Sequence, residues 1–365
     1  MAIFVERELL LTLLRSALVP EFSCSGLPEG IDWQKLISEA DCQCVSVIAS
    51  DGLQRLYDEG LYSAQDEKEV RRLKARWFGK TMKYEHRYAG QMKAAKKMGE
   101  WLASTGIQMV VLKGFTVSEC YPVPGHRYSA DLDCFLIKDG EHMEAYELGN
   151  KVMEEHGLKV NRGYYKNSSF DLPGLHVENH KFCTPFRGNK TLTQFERLLQ
   201  GMLLDGPLTP IGDTGLLAPP PLASALFLTE HAYSHFLHEG LNLRHILDWA
   251  LFRRRHASDV DWARFDAYCA EFGFTRFLSS IDAVGEYVLG TRFLDDLTPV
   301  DRRFLADVWK GPSFDHDKKG LRARIFLAGN TLRAAWKYSH YSNISMVHAL
   351  WIQVKGFFFM RRPSL

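Results

Sequence analysis

The chain has 365 residues, of which 46% are hydrophobic and 24% are charged, and its formal net charge is +1. This composition is typical of a globular protein, and it excludes collagen-like, low-complexity and highly charged disordered chains. The length exceeds that at which a single hydrophobic core usually stops growing, so we expect more than one compact unit. The net charge argues neither for nor against a polyanionic partner, and nothing else gives strong evidence for nucleic acid.

The seven cysteines are odd in number and form no C-x-x-C pair, which predicts reduced thiols in a cytoplasmic protein. The N-terminal segment MAIFVERELLLTLLRSAL carries charges inside its apolar run, so it predicts an amphipathic helix and not a signal peptide. No window approaches twenty uninterrupted apolar residues, and we expect no membrane span. From Lys318 to the end there are nine Lys and Arg and no Asp or Glu, which favours the solvated side of terminal helices, with a phosphate, nucleic-acid or membrane contact as the alternative.

The first 106 residues are predicted to be helical, because apolar residues recur at spacings of three and four. Asp32 is suited to cap the helix that begins at Trp33. Gly106 is expected to end a long helix over residues 66–104.

The period then changes. Residues 107–112 are short, apolar and β-branched, as in a buried strand, and residues 131–137 alternate in polarity as in a strand with one polar face. Between them we predict a helical turn at 114–120 and a Pro- and Gly-containing loop at 121–126. The further predicted elements of this part are a helix at 140–157, strands at 158–165, 168–172 and 175–182 with a turn at Pro173-Gly174, a helix at 192–201 and a connector at 202–221.

After the connector the pattern is helical again. Helices are predicted near 222–238, 241–255, 261–272, 274–289, 299–309, 319–338 and 344–360. The predicted fold class is therefore α+β, with a small mixed-sheet module between a helical N-terminal arm and a helical C-terminal region. The predicted boundaries are 1–106, 107–205 and 206–365.

Two carboxylates lie on one face of the alternating strand. Successive strand residues point to opposite faces, so Asp131 and Asp133 project from the same one. Such a pair repels unless a positive group lies between them, and a divalent metal with oxygen ligands is the usual solution. The alternating segment His176-Val177-Glu178-Asn179-His180 supplies Glu178 as a third carboxylate, with Asp171 on a neighbouring strand as its competitor.

Positive groups precede this strand. Gly114 follows a buried strand and opens a helical turn, which lets backbone N–H groups approach an anion. Lys113 adds a point charge, and Arg127 offers a planar fork that suits phosphate. The alternative for Lys113 is a lysine at the edge of the core whose ammonium reaches solvent.

The run L-K-G … Y-P … G-x-R … D-x-D, followed by an acid-x-His strand, resembles the uncharacterised bacterial nucleotidyltransferase family of the nucleotidyltransferase-5 type. That family belongs to the DNA polymerase beta-like nucleotidyltransferase superfamily. The resemblance implies that Asp131, Asp133 and Glu178 bind Mg²⁺, with Mn²⁺ as a possible substitute. It also implies that Gly114 forms the superfamily's glycine turn and that His180 is the family's histidine after the third acid, and we expect both to bind the nucleotide together with Lys113 and Arg127.

The chain departs from the superfamily at two points. The turn reads Lys-Gly-Phe where Gly-Gly or Gly-Ser is usual, and the interval from Gly114 to Asp131 is longer than in compact members. The leading hypothesis is a Mg²⁺-dependent enzyme that moves a nucleoside monophosphate from an NTP to an unknown acceptor, which could be a small molecule, a glycan or a protein. The alternatives are a catalytically silent nucleotide sensor and an assembly partner with the same fold.

Three histidines in the C-terminal region share one helical face. His231, His235 and His238 lie at i, i+4 and i+7, and with Asp248 on the next helix they allow a zinc or manganese site. The favoured interpretation is that His231 and Asp248 are buried polar groups that fix the helix pair or line the cleft. Arg244 and Asp248 are spaced to pair with each other.

Overall fold

The computed structural model describes residues 2–28, 30–63, 66–186, 188–312, 329 and 332–351. The fold is α+β, as predicted. Helices precede the strands of a mixed sheet in the chain, and further helices follow them. The N-terminal helices are α1 (Ala2–Leu18), α2 (Trp33–Cys42), α3 (Ser46–Asp58) and α4 (Glu67–Ala103). Asp32 caps α2 by accepting from the backbone N–H groups of Gln34 and Lys35, as its position predicts.

The sheet has six strands in the order β3-β4-β2-β1-β6-β5. The elements of this part are β1 (Gln108–Lys113), α5 (Phe115–Ser118), β2 (Asp131–Ile137), α6 (Met143–Glu155), β3 (Asn167–Leu172), β4 (Leu175–His180), α7 (Lys190–Asp205), β5 (Thr209–Pro210) and β6 (Leu217–Ala218). Strand β2 runs antiparallel to β1 and parallel to β4.

Two sequence predictions in this part are wrong. Residues 158–165 form no strand, and only an isolated bridge joins Asn161 to Ser169. The predicted connector at 202–221 contributes β5 and β6, so the sheet extends past residue 205. The three domain boundaries stay predictions.

The C-terminal part is helical. Its helices with both ends described are α8 (Pro221–His238), α9 (Leu243–Arg255), α10 (Trp262–Phe272), α11 (Thr275–Leu289), α12 (Pro299–Lys310) and α13 (Ala335–Tyr341), and residues 346–351 are also helical. Most of the predicted helices at 319–338 and 344–360, and most of the basic segment after Lys318, lie outside the described residues. Within the described part of the chain, no helix combines the length and apolarity needed to cross a bilayer.

The sheet separates two hydrophobic cores. Leu132 and Cys134 of β2 pack with α6 and the C-terminal end of α4, whereas Phe135 and Ile137 join a larger core with the N- and C-terminal helices. In that larger core, the Arg15 guanidinium of α1 donates to backbone carbonyls of α11 at 2.7 and 3.1 Å. The helices before and after the sheet therefore pack on each other, and they cover the face of the sheet from which the β2 carboxylates project.

A glycine permits the closest contact between α1 and α3. A Cβ at Gly52 would lie 1.8 Å from the backbone oxygen of Leu13, so no side chain fits without separating the helices. We expect Gly52→Ala to lower the free energy of unfolding by about 3 kcal/mol, measured by urea denaturation. In the control Gly79→Ala, where the added Cβ meets nothing within 4 Å, helix propensity alone should raise stability by about 0.5–1 kcal/mol. Equal effects of the two substitutions would contradict this packing.

Candidate metal centre

Three neighbouring strands align charged residues in one row. In the sheet register Lys113 of β1 lies opposite Asp133 of β2, and Asp133 lies beside Glu178 of β4. Cross-strand partners point to the same face, so these three side chains emerge together. Asp131 precedes Asp133 by one strand period and lies beside His176. The register thus brings Glu178 next to the Asp pair.

Asp133, Glu178 and His180 form a compact group at the centre of this row. The His180 Nε2 atom lies 2.8 Å from Asp133 Oδ1 and 3.5 Å from Glu178 Oε2. One candidate ligand atom from each residue lies within 4.8 Å of the others. Among the residues that the structure describes, this is the one group of three or more His, Cys, Asp or Glu side chains with the spacing of a metal site.

Both carboxylates of the group are held as anions. Burial alone would raise the pKa of the Asp133 carboxyl, but the Lys113 ammonium and His180 outweigh burial and keep that pKa well below its usual value. Burial would likewise raise the pKa of Glu178, and the hydrogen bond with His180 lowers it overall. Two anionic carboxylates are therefore available to a cation at neutral pH.

The Lys113 ammonium lies between the two aspartates. Its Nζ atom is 3.1 Å from Asp133 Oδ2, 3.9 Å from Asp131 Oδ1 and 2.8 Å from His231 Nε2. Burial lowers the pKa of Lys113, but Asp131 and Asp133 raise it by more, so the side chain stays charged. Lys113 thus faces the carboxylates, and its contact with a phosphate stays a prediction.

Asp131 stands apart from the compact group. Its side chain is 34% exposed, whereas that of Asp133 is 1% exposed. Asp131 therefore lies where the row of charges opens to solvent, on the same face as Asp133 but one strand period away. The Lys113 ammonium lies between Asp131 and this group, because it is near carboxylate oxygens of both Asp131 and Asp133.

The residues present fit a divalent metal. Asp133 Oδ2 is buried and accepts no hydrogen bond from the described residues, and its neighbour is the Lys113 ammonium at 3.1 Å, so a cation already lies at this oxygen. The Nδ1 atom of His180 lies 3.1 Å from the backbone oxygen of Phe182 and donates to it, which leaves Nε2 directed at the carboxylates. Carboxylate oxygens are the ligands that Mg²⁺ and Mn²⁺ prefer, and an imidazole nitrogen is compatible with Mn²⁺.

Arg127 is buried in a different ion pair. Its Nε and Nη2 atoms lie 2.6 and 2.8 Å from the two oxygens of Asp248, and Tyr121 donates to the same carboxylate at 2.7 Å. Its Nη1 atom donates to the backbone oxygen of Gly114 at 3.4 Å. This guanidinium therefore ties the 121–127 loop and the glycine turn to α9. The phosphate contact predicted for Arg127 stays a prediction.

The turn at Gly114 requires glycine. Its φ of +97° lies in the region that side chains disfavour, and an added Cβ would lie 3.4 Å from the backbone oxygen of Asp131. The turn therefore packs directly against the start of β2. A four-residue helix, α5, follows it.

The histidine face of α8 divides into separate contacts. His231 meets Lys113, and the ring of Phe227 one turn earlier lies 6.2 Å from that of His180, so α8 covers the site. His235 Nδ1 lies 2.6 Å from Glu239 Oε2, and His238 donates to the backbone oxygen of Ser234 at 2.8 Å. The hydrogen bonds of His235 and His238 thus join residues four apart in the chain, whereas His231 reaches the charged row, and the role predicted for His231 and Asp248 stays a prediction.

Two other predicted contacts have clear outcomes. Arg244 and Asp248 pair at 3.4 Å, as their spacing predicts, although Arg127 is the nearer partner of Asp248. Asp171, the competitor of Glu178, is highly exposed and lies 2.7 Å from His176 Nδ1. Asp171 is not part of the group around Asp133.

The sequence interpretation missed Asn167. Its side-chain amide donates to Glu178 Oε2, and it pairs with His180 across the hairpin of β3 and β4. A hairpin centred on the predicted Pro173-Gly174 turn would have placed Asn167 opposite His180, so the turn position was the available signal.

Glu230 of α8 is a second residue that the sequence interpretation missed. Burial raises the pKa of this carboxyl to about 8. The folded pKa exceeds the ordinary value of 4.5. The stability that protonated Glu230 contributes is therefore fully present below about pH 4.5, and it is lost as the pH rises to 8. We expect Glu230→Gln to remove about 3 kcal/mol of this decline, measured by urea denaturation at pH 5.5 and 8.5. The exposed Glu100→Gln serves as the control, and an unchanged pH slope in Glu230→Gln would contradict the prediction.

A surface pocket of about 510 Å³ lies elsewhere, between α7, α8 and α10. Its lining includes Arg197, Asp205 and Arg264 and none of the residues around Asp133. This pocket and the candidate metal centre are therefore separate.

Comparison with known proteins bears on this centre. No curated protein and no solved structure matches the chain. A family model does match, over residues 29–285, and this span contains helices α2 to α4, the whole sheet, helices α8 to α10 and most of α11. It includes every residue of the charged row and helix α8, which packs over that row. The family is described as "uncharacterised nucleotidyltransferase", and the chain belongs to it.

Proposed function

We propose that this protein is a Mg²⁺-dependent nucleotidyltransferase, which moves a nucleoside monophosphate from an NTP to a hydroxyl or phosphate acceptor. One observation carries the proposal. In a chain of this family, Asp133 and Glu178 meet on adjacent strands beside His180, and one candidate ligand atom from each of the three lies within 4.8 Å of the others. Such an arrangement suits a cation that also binds a polyphosphate.

Asp131, Asp133 and Glu178 would hold the metal, with Mn²⁺ able to replace Mg²⁺. When bound, the metal neutralises charge on the phosphates and stabilises the entering and leaving oxygens. His180 positions the Asp133 carboxylate through its 2.8 Å contact. Its own ring is held by the Phe182 carbonyl, so both side chains are fixed before a ligand arrives.

The remaining predicted residues would act on the nucleotide. Lys113 offers an ammonium at the carboxylate row, where it can move to a phosphate oxygen. Gly114 lets the backbone approach the phosphates without a side chain in between. Arg127 fixes this turn through its contact with the Gly114 carbonyl, and its positive charge adds to the attraction for a triphosphate.

The reaction balances without an oxidant or reductant. An oxygen of the acceptor forms a bond to the α-phosphorus, and the bond from that phosphorus to the bridging oxygen of pyrophosphate breaks. Pyrophosphate leaves with the electron pair of that bond. Where the acceptor is a hydroxyl, its proton can pass to the carboxylate of Asp131 or Glu178, the two that reach solvent.

Label transfer tests the proposal. The full-length protein is incubated with each of the four NTPs labelled at the α-phosphorus, in Mg²⁺, with an extract of the source cells as the acceptor pool. We expect one or more labelled products and release of pyrophosphate, both abolished by EDTA. Absence of nucleotide binding by calorimetry together with absence of label transfer would overturn the proposal.

A nucleotide sensor is the second candidate. The observation in its favour is that Lys113 already supplies a positive charge between Asp131 and Asp133. A sensor would bind NTP in the same calorimetric experiment and yield no labelled product. Binding with transfer would exclude it.

A further inference from the structure

Lys113 occupies the side of the aspartate pair at which a metal would bind. Its ammonium is 3.1 Å from Asp133 Oδ2, the same oxygen that accepts no hydrogen bond, and 3.9 Å from Asp131 Oδ1. A divalent cation bound by both aspartates would need these oxygens. The ammonium would repel a metal ion at these oxygens, because like charges a few ångströms apart in a buried site raise each other's energy.

The ammonium also has a second contact, away from the carboxylates. His231 Nε2 lies 2.8 Å from Lys113 Nζ. An ammonium carries only donors, so this nitrogen must accept, and His231 is therefore the neutral tautomer with its proton on Nδ1. His231 is a positioning residue that can retain the lysine after its contact with Asp133 is lost.

Phosphate oxygens supply a further acceptor for the ammonium. A triphosphate bound beside Asp131, where the charged row opens to solvent, would attract the ammonium. It would also bring oxygen ligands for the metal. Movement of the Lys113 ammonium away from the carboxylates would then favour binding of the metal, and binding of the metal would favour that movement. This is a coupling between two ligands through one side chain.

We propose that the Lys113 ammonium is a resident cation that competes with the metal for Asp131 and Asp133, so that the metal binds tightly only together with the nucleotide. This inference rests on the proposed function, because it assumes that the aspartates are the metal ligands. It adds a binding order that the family assignment does not contain.

The test is Mn²⁺ binding to the full-length protein without nucleotide, read from the electron paramagnetic resonance signal of free Mn²⁺. We expect Lys113→Met to tighten Mn²⁺ binding at least about tenfold, because a positive charge close to the metal is removed. Lys138→Met is the matched control, since Lys138 follows β2 at the end of the strand opposite Asp131 and Asp133. It should leave the affinity unchanged.

A nucleotide arm completes the test. Calorimetry with an NTP analogue whose α–β bridging oxygen is replaced by methylene should show weaker binding to Lys113→Met than to the wild type, at a fixed Mn²⁺ concentration. The same substitution is thus expected to raise the affinity for Mn²⁺ and to lower the affinity for the nucleotide. Lys113→Gln, which keeps a polar side chain, repeats both measurements, and far-UV circular dichroism confirms that each variant is folded.

The outcomes separate this inference from the proposed function. If Asp133→Asn abolishes Mn²⁺ binding but both Lys113 variants bind Mn²⁺ no more tightly than the wild type, the resident-cation inference is wrong and the metal site stands. If Asp133→Asn leaves Mn²⁺ binding unchanged, the metal site itself is wrong and both proposals are lost.

Discussion

Replacement of Asp133 by Asn is expected to reduce nucleotidyl transfer by about a thousandfold, because it removes a metal ligand and a full negative charge from the buried centre of the row. Asn keeps the shape of the side chain and one oxygen, so the loss isolates the charge. The measurement is transfer of α-labelled phosphate under the conditions that give product with the wild type.

Asp171→Asn is the matched control for this substitution. Asp171 is also an aspartate of the sheet, but it is highly exposed, pairs with His176 and lies outside the group around Asp133. We expect full activity for Asp171→Asn and an unchanged circular dichroism spectrum for both variants. Activity within tenfold of the wild type in a folded Asp133→Asn protein would contradict the assignment.

Replacement of Arg127 by Met is expected to lower the free energy of unfolding by about 3–5 kcal/mol, because it leaves the buried Asp248 carboxylate without its closest cation. Tyr121 and Arg244 still contact Asp248, but Arg244 lies at 3.4 Å and cannot replace a bidentate pair. The measurement is urea denaturation of each variant.

Two further variants distinguish loss of the pair from loss of bulk. The double substitution Arg127→Met with Asp248→Leu removes both charges, and it should recover a large part of the stability that Arg127→Met loses. Arg162→Met breaks an ion pair with Glu154 at the surface and should have a far smaller effect than Arg127→Met. The single variant Asp248→Leu completes the cycle. If the double variant loses as much free energy of unfolding as the two single variants together, the charges do not act as a pair.

The part of the site that sequence analysis anticipates is the part built by strand periodicity. Alternation over residues 131–137 predicts one face for Asp131 and Asp133, and the structure has that strand. The alternating HVENHKF segment likewise predicts that Glu178 and His180 share a face. Whether the two segments are neighbours depends on sheet order, which no local period encodes, and the parallel pairing of β2 with β4 supplies it.

The part that sequence analysis misses depends on contacts between distant residues. Lys113 meets His231 across 118 positions of the chain, and Arg127 meets Asp248 across 121. Both contacts require the C-terminal helices to pack on the sheet, so neither leaves a spacing pattern. The strands β5 and β6 were missed for another reason, since two residues are too few to show an alternation.

The most direct test of the account is the position of the metal in a crystal of the protein grown with Mn²⁺ and a non-hydrolysable NTP, located by anomalous scattering. The account predicts a Mn²⁺ peak bonded to the carboxylates of Asp131, Asp133 and Glu178, with the triphosphate on the same ion. It would be contradicted by a nucleotide bound elsewhere, such as in the pocket beside Arg197, or by a metal that no carboxylate of this row ligates.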